Sequence, residues 1–277
     1  MEYIDKLRES IKNNSNLSEE FKCNLANLTD TIVTVFPEYD YFKLDNMLKT
    51  LNIKLNNELD TYSSYDKNSN TINFNTNKIF EDRIDIQHLV LNEILLRSSR
   101  IDNDALEGFN IGITEAISST MNSDESMTKL NPLHYSLVSL FSKIVDGKTI
   151  IDTYMNGDMA NLAFELEKIG IGNEEFVNLL TEFNKVDSEP NIFTKLEIDM
   201  IEMYGKKIDF ELKNGTITYE DINERFEDFS SLLFFKRSEL ISIYPHHDFS
   251  YLNGFENVKD SLDKTIVKTE EVKEMTK

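Results

Sequence analysis

The sequence predicts an α+β protein, predominantly helical, with one small sheet near the N-terminus. Three observations lead there. Strand-like patterning is confined to about residues 50–80, where Ile53-Lys54-Leu55 alternates and Tyr65, Ile72 and Phe74 flank a turn-rich Asp66-Lys67-Asn68-Ser69-Asn70. Before and after that stretch, apolar residues recur at three and four, the period of an amphipathic helix. No second set of strands follows, so the sheet holds about three or four strands and lies in the first third.

The elements follow in order. Leu17-Ser18-Glu19-Glu20 offers a helix N-cap with acids in the first turn, and Phe21, Leu25, Leu28, Ile32 and Val35 continue the stripe until Phe36-Pro37. A short helix carrying Leu44, Met47, Leu48 and Leu51 leads into the Ile53 strand, and residues 65–74 read as a β-hairpin. From Ile86 to Ser98 the chain is apolar nearly all round, as in a central, buried helix. Residues 99–108 read as a loop, 110–121 as a helix and 122–132 as a polar surface linker. Further stripes are Leu133 to Ile144, Met159 to Leu166, Phe176 to Phe183 and Ile222 to Leu233, punctuated by Gly147, Gly157, Gly170, Gly172 and Pro190. Residues 258–277 are charged and weakly periodic, an exposed helix or a frayed tail. The expected organisation is an α/β part over residues 1–122, a helical subdomain over 123–257 and a charged tail over 258–277.

The charge excludes some classes of function. Fifty acidic against 29 basic residues leave a net charge of −21, a field that repels nucleic acid and anionic membrane surfaces. Met1-Glu2-Tyr3-Ile4-Asp5 has neither a basic n-region nor an apolar h-region, and no apolar run approaches the roughly 18 residues of a membrane span, so neither a signal peptide nor a span is expected and the expected location is cytoplasmic. Cys23 is the one cysteine, which rules out an intramolecular disulfide and a thiolate cluster. Set among Phe21, Leu25 and Leu28, it reads as a small buried apolar residue.

One pair of helices carries a chemical pattern. The first reads His88-Leu89-Val90-Leu91-Asn92-Glu93-Ile94-Leu95-Leu96-Arg97, the second Gly108-Phe109-Asn110-Ile111-Gly112-Ile113-Thr114-Glu115-Ala116. This pair resembles the glutamate-zincin metallopeptidases, the thermolysin-like group with H-E-x-x-H on a buried helix and N-E-x-x-[ST]-[DE] on a second. Aligned on the glutamate, the first motif falls on Asn92 to Leu96 and the second on Asn110 to Glu115. The resemblance covers roughly residues 50 to 170. It implies zincin-like active-site helices behind the hairpin and a helical C-terminal subdomain after them.

The departures concern the metal. Zinc in such a site takes two imidazoles at i and i+4 and a carboxylate. Asn92 and Leu96 stand in place of the histidines and Ile111 in place of the glutamate, and neither leucine nor isoleucine has a lone pair to offer. Glu93 aligns with the general base, which without a metal-bound water has nothing to activate. Its bland alternative is a helix ion pair with Arg97 at i+4. Glu115 aligns with an outer-sphere acid that Arg97 or Arg100 would satisfy. A relocated site on His88, Asn92 and Glu115 would hold zinc weakly, His246-His247-Asp248 lacks a spaced third ligand, and His134 opens a helix with no evident partner.

Other catalytic signatures, G-x-S-x-G, a phosphate loop and G-x-G-x-x-G, are missing from the sequence. The expectation is therefore a catalytically inactive zincin-like protein without metal or cofactor. Its vestigial cleft, around Asn92, Glu93, Leu96, Asn110, Ile111 and Glu115, would bind a protein or peptide partner. Two alternatives stand beside it: a metal-dependent hydrolase with shifted ligands, and an acidic helical interaction protein unrelated to peptidases.

Overall fold

The computed structural model describes residues 2–121, 129–243 and 252–275. These residues form thirteen α-helices and one three-stranded sheet, the α+β, predominantly helical class expected. They divide into two compact units, the first made of residues 1–100 and 117–130, the second of 101–116 and 131–277. No helix among the described residues is long and apolar enough to cross a membrane.

The first unit opens with α1 (Glu2–Asn13), α2 (Glu19–Val35) and α3 (Phe42–Thr50). Ser18 caps α2, its side chain accepting from the Phe21 amide at 3.3 Å, as the sequence predicts. Leu25, Thr29, Ile32 and Val33 form its buried line. Cys23 does not belong to it: the residue is exposed, a correction to the sequence reading. At about 100° per residue, position 23 lies some 200° round the helix from Leu25, so proximity in sequence misleads. Asn14, at the end of α1, donates to the carbonyls of Leu48 (2.8 Å) and Leu51 (2.9 Å), satisfying the C-terminal end of α3.

The sheet comprises β1 (Asn52–Leu55), β2 (Ser63–Asp66) and β3 (Thr71–Phe74), in the order β1-β3-β2. Strands β2 and β3 form the expected hairpin, with Tyr65 opposite Ile72, while β1 pairs with β3 in parallel, Ile53 beside Ile72. The turn depends on Asn70, which adopts a positive φ of 46° that its short polar side chain tolerates. That side chain donates to the Met47 carbonyl (2.7 Å) and accepts from the Tyr65 hydroxyl (2.8 Å), fastening the hairpin to α3. After α4 (Thr76–Glu81) comes α5 (Ile86–Ser98), where eight consecutive residues from His88 to Leu95 are buried. A helix submerged over two turns is what its all-round apolarity requires.

A 3-10 turn at Asp104–Leu106 leads into α6 (Glu107–Met121), which starts three residues earlier than expected and runs from the second unit into the first. The second unit continues with α7 (Pro132–Ile144), α8 (Gly147–Asn156), α9 (Met159–Lys168), α10 (Asn173–Phe183), α11 (Pro190–Lys213), α12 (Ile222–Ile243) and α13 (Phe255–Met275). Residues 122–128 of the expected linker lie outside the described residues. Three helices escape the sequence reading: α4 of the first unit, α8, whose first residue Gly147 follows the N-cap Asp146, and α11, whose first residue is Pro190. In α8 and α11, glycine and proline act as helix starts rather than as breaks. The 24-residue α11 packs against α7, α10 and α13, burying Phe193, Leu196, Met200, Ile201 and Ile208. The charged stretch from residue 258 belongs to α13, which packs along α11 and buries Val258 and Leu262.

Candidate functional site

In the first unit, α5 presents the residues aligned with the zincin base. Asp85 caps it, accepting from the Gln87 amide at 2.8 Å. Glu93 is buried, and its two oxygens have separate partners. Oε1 accepts from the Ser63 hydroxyl at 2.6 Å, and Oε2 lies 3.4 Å from Arg97 Nε, the ion pair at i+4 that the sequence predicts. The Arg97 guanidinium also sits 5.1 Å from the centre of the Tyr65 ring. Ser63 and Tyr65 are two apart on β2 and so project from one face of the strand, where α5 meets them. Asn92 is buried and donates to Ser118 Oγ on the last turns of α6 at 3.2 Å. Leu96 is half-buried and His88 wholly buried.

The second motif lies in the second unit. Gly108 starts the packed part of α6: its amide donates to Asn184 Oδ1 at 2.6 Å, and an added Cβ would fall 2.5 Å from the Phe183 carbonyl carbon. Because that obstacle is backbone, only glycine fits. Phe109 is fully buried, edge-on to Phe141 and Phe183 with ring centres 5.4 and 5.6 Å away. Asn110 is buried, and its Oδ1 has no hydrogen-bond partner among the described residues. Ile111 is half-buried. Thr114 Oγ1 bonds the Asn110 carbonyl and the Tyr154 hydroxyl, both at 2.8 Å. Glu115 is wholly buried and accepts from Asn131 Nδ2 at 3.3 Å. The arginines expected to serve it pair elsewhere, Arg97 with Glu93 and Arg100 with Asp40 at 2.6 Å.

His134 differs from its expectation too. It is buried, and its Nε2 makes a 3.1 Å hydrogen bond with the Phe183 carbonyl, leaving Nδ1 3.8 Å from Asp187 Oδ2. The partner, Phe183, is the last residue of α10, 49 positions along the chain, where no local pattern points to it. Burial holds the imidazole's pKa below its ordinary value, against the pull of Asp187, the Phe183 carbonyl and Glu107. A base with a lowered folded-state pKa favours the fold fully above its unfolded pKa of about 6.5 and withdraws that support as pH falls below it. Urea melts at pH 7 and pH 5 are thus expected to show a larger acid loss for the wild type than for His134→Gln. An equal loss in both would place the acid sensitivity elsewhere.

Among the described residues no three His, Cys, Asp or Glu side chains are grouped as a metal ion requires. His246, His247 and Asp248 lie outside the described residues. Ser63, Ser118, Tyr154 and Asn184 complete the surroundings of the two motifs and were not legible in the sequence. Each is a common polar residue on a distant element, and no spacing marks it. The chain matches no protein-family model, and no curated protein or solved structure is significantly similar to it.

Proposed function

We propose that this chain is a non-catalytic binding module, in which a zincin-like pair of helices serves as framework and a protein or peptide is the partner. The observation that carries this reading is the engagement of Glu93. A general base needs a carboxylate oxygen turned towards a reacting proton, whereas here Ser63 takes one oxygen and Arg97 the other. The aliphatic Leu96 and Ile111 at two ligand positions support it from the side of metal chemistry. The net charge of −21 favours a basic protein surface over nucleic acid as partner.

The test has two parts. The wild-type protein with added zinc should hydrolyse none of a broad set of fluorogenic peptides, and Glu93→Gln should lower thermal stability by weakening the contacts to β2. Peptide cleavage that Glu93→Gln abolishes with the melting temperature unchanged would make the protein an enzyme. The zincin relationship itself is tested by the combined change Asn92→His, Leu96→His, Ile111→Glu, which should create measurable zinc affinity if the three positions descend from one metal site. A folded triple variant that binds no zinc leaves the second reading, an acidic helical interaction protein unrelated to peptidases. The parallel pairing of β1 with β3 favours that reading, since a zincin relationship leads to the expectation of a further strand antiparallel to the hairpin.

A further inference from the structure

Asparagine followed by glycine is among the least durable pairs in a polypeptide. The glycine nitrogen can close on the asparagine Cγ, because no Cβ hinders its approach and its backbone turns freely. The chain holds three such pairs, Asn156-Gly157, Asn214-Gly215 and Asn253-Gly254. All three asparagines are exposed, so access to water does not distinguish them. Their glycine amides differ. Gly157 donates to the Thr153 carbonyl at 2.9 Å and Gly215 to the Leu212 carbonyl at 3.1 Å, each at the C-terminal end of a helix. The Gly254 amide has no hydrogen-bond partner among the described residues, and neither has the Asn253 side chain.

Asn253 also stands at a junction of helices. Its carbonyl accepts from Thr194 Oγ1 of α11 at 2.7 Å, and the neighbouring Leu252 carbonyl accepts from Arg237 Nη1 of α12 at 3.1 Å. Gly254 then leads into α13 with a φ of 86°, its carbonyl accepting the Val258 amide at 3.2 Å. Residues 252–254 therefore hold the start of α13 against two other helices. That φ favours glycine, and a Cβ at this position would stand only 3.1 Å from Thr194 Cγ2. The backbone that calls for glycine at 254 thus leaves the asparagine before it open to attack.

We propose that Asn253 is a site of spontaneous deamidation, a modification that loosens the start of α13. The Gly254 nitrogen bonds to Asn253 Cγ as it gives up its proton to solvent base. The Cγ–Nδ2 bond breaks, and the amide nitrogen takes up a proton and leaves as ammonia, so a succinimide remains. Water then opens that ring at either carbonyl. Opening at Cγ gives aspartate with the main chain as before, and the new negative charge beside the first turn of α13 suits the helix dipole. Opening at the main-chain carbonyl gives isoaspartate. The main chain then runs through Cβ and Cγ, a methylene longer, and the carbonyl that Thr194 used becomes a free carboxylate on a branch. The tie from α11 to the start of α13 is lost in that product alone. The site is independent of α5 and of the zincin resemblance.

The test ages the full chain in mildly alkaline buffer, folded and in urea, and follows each Asn-Gly peptide by mass spectrometry. Labelling by an isoaspartyl methyltransferase counts the isoaspartate. In urea, where no amide is held, the three sites should convert at similar rates. In the folded protein Asn253 should convert about fivefold faster or more than Asn156 and Asn214, the factor that one net hydrogen bond on the glycine amide is worth. Asn253→Gln, whose longer side chain closes a ring far more slowly, should remove the fast phase and leave the other two sites unchanged. Aged protein carrying isoaspartate at position 253, separated by ion exchange, should melt below the fresh protein, whereas Asn253→Asp should melt no lower. Conversion of Asn156 or Asn214 in the folded protein as fast as that of Asn253 would overturn the proposal. An isoaspartate form as stable as the fresh protein would overturn the loosening of α13.

Discussion

Replacing Arg237 by alanine is expected to destabilise the second unit by about 3–5 kcal/mol, the cost of leaving a buried charge without its partner. Arg237 on α12 and Glu197 on α11 are both buried, and the guanidinium meets the carboxylate through Nε at 2.8 Å and through Nη2. Nη1 donates to the Leu252 carbonyl at 3.1 Å and Nη2 to Thr194 Oγ1 at 3.2 Å, while Thr194 in turn donates to the Asn253 carbonyl at 2.7 Å. One side chain therefore ties two helices to the segment that starts α13. The pair is nevertheless costly to keep. Burial drives the Glu197 carboxyl up, to about 7, against the opposing pull of Arg237, so desolvation outweighs attraction. The double variant Glu197→Met with Arg237→Met should consequently recover most of the stability that Arg237→Ala loses. Urea melts followed by circular dichroism read both quantities. A double variant as unstable as the single one would show that the hydrogen bonds to Leu252 and Thr194, rather than the uncompensated charge, dominate.

Phe109→Ala should cost about 3–5 kcal/mol, the range for removing a wholly buried aromatic side chain. The ring is enclosed edge-on by Phe141 of α7 and Phe183 of α10. The α6 backbone beside it cannot move inward to close the void, because Gly108 already abuts the Phe183 backbone. Phe109→Leu keeps most of the volume and should cost markedly less. The comparison tests whether the segment aligned with the second zincin motif is held by core packing. Near-equal stability of Phe109→Ala and the wild type would mean that the three-ring cluster contributes little.

The parts of the fold legible in the sequence share one property: their signal lies within a few residues. The period of the α5 region and its lack of a polar face identify a submerged helix, and His88 to Leu95 are buried accordingly. Tyr65, Ile72 and the turn between them identify the β2–β3 hairpin. Ser18 marks its helix start, and the i, i+4 spacing of Glu93 and Arg97 marks their ion pair. Helix α11 lacks such a local signal. Its inner stripe carries Glu197 among apolar residues, which blurs the period, and only Arg237, 40 positions away, makes that carboxylate acceptable in a core.

The sequence by itself determined the helical class, the place and size of the sheet, and that Asn92, Leu96 and Ile111 stand where the resemblance to zincins would call for metal ligands. Local propensity, hydrophobic period and residue chemistry suffice for each of these. Only the tertiary structure decided which partners the polar residues take. Ser63 reaches Glu93 from another element, Asn131 rather than an arginine donates to Glu115, and Phe183 meets His134 from across the second unit. The same holds for the parallel register of β1 on β3 and for the contact of α11 with α13 at Gly205, where glycine allows close approach. Hydrogen bonds and ion pairs form between any donor and acceptor that the packing brings within about 3 Å, whatever their separation along the chain. A linear pattern records what a residue can do, and packing chooses the neighbour it does it with.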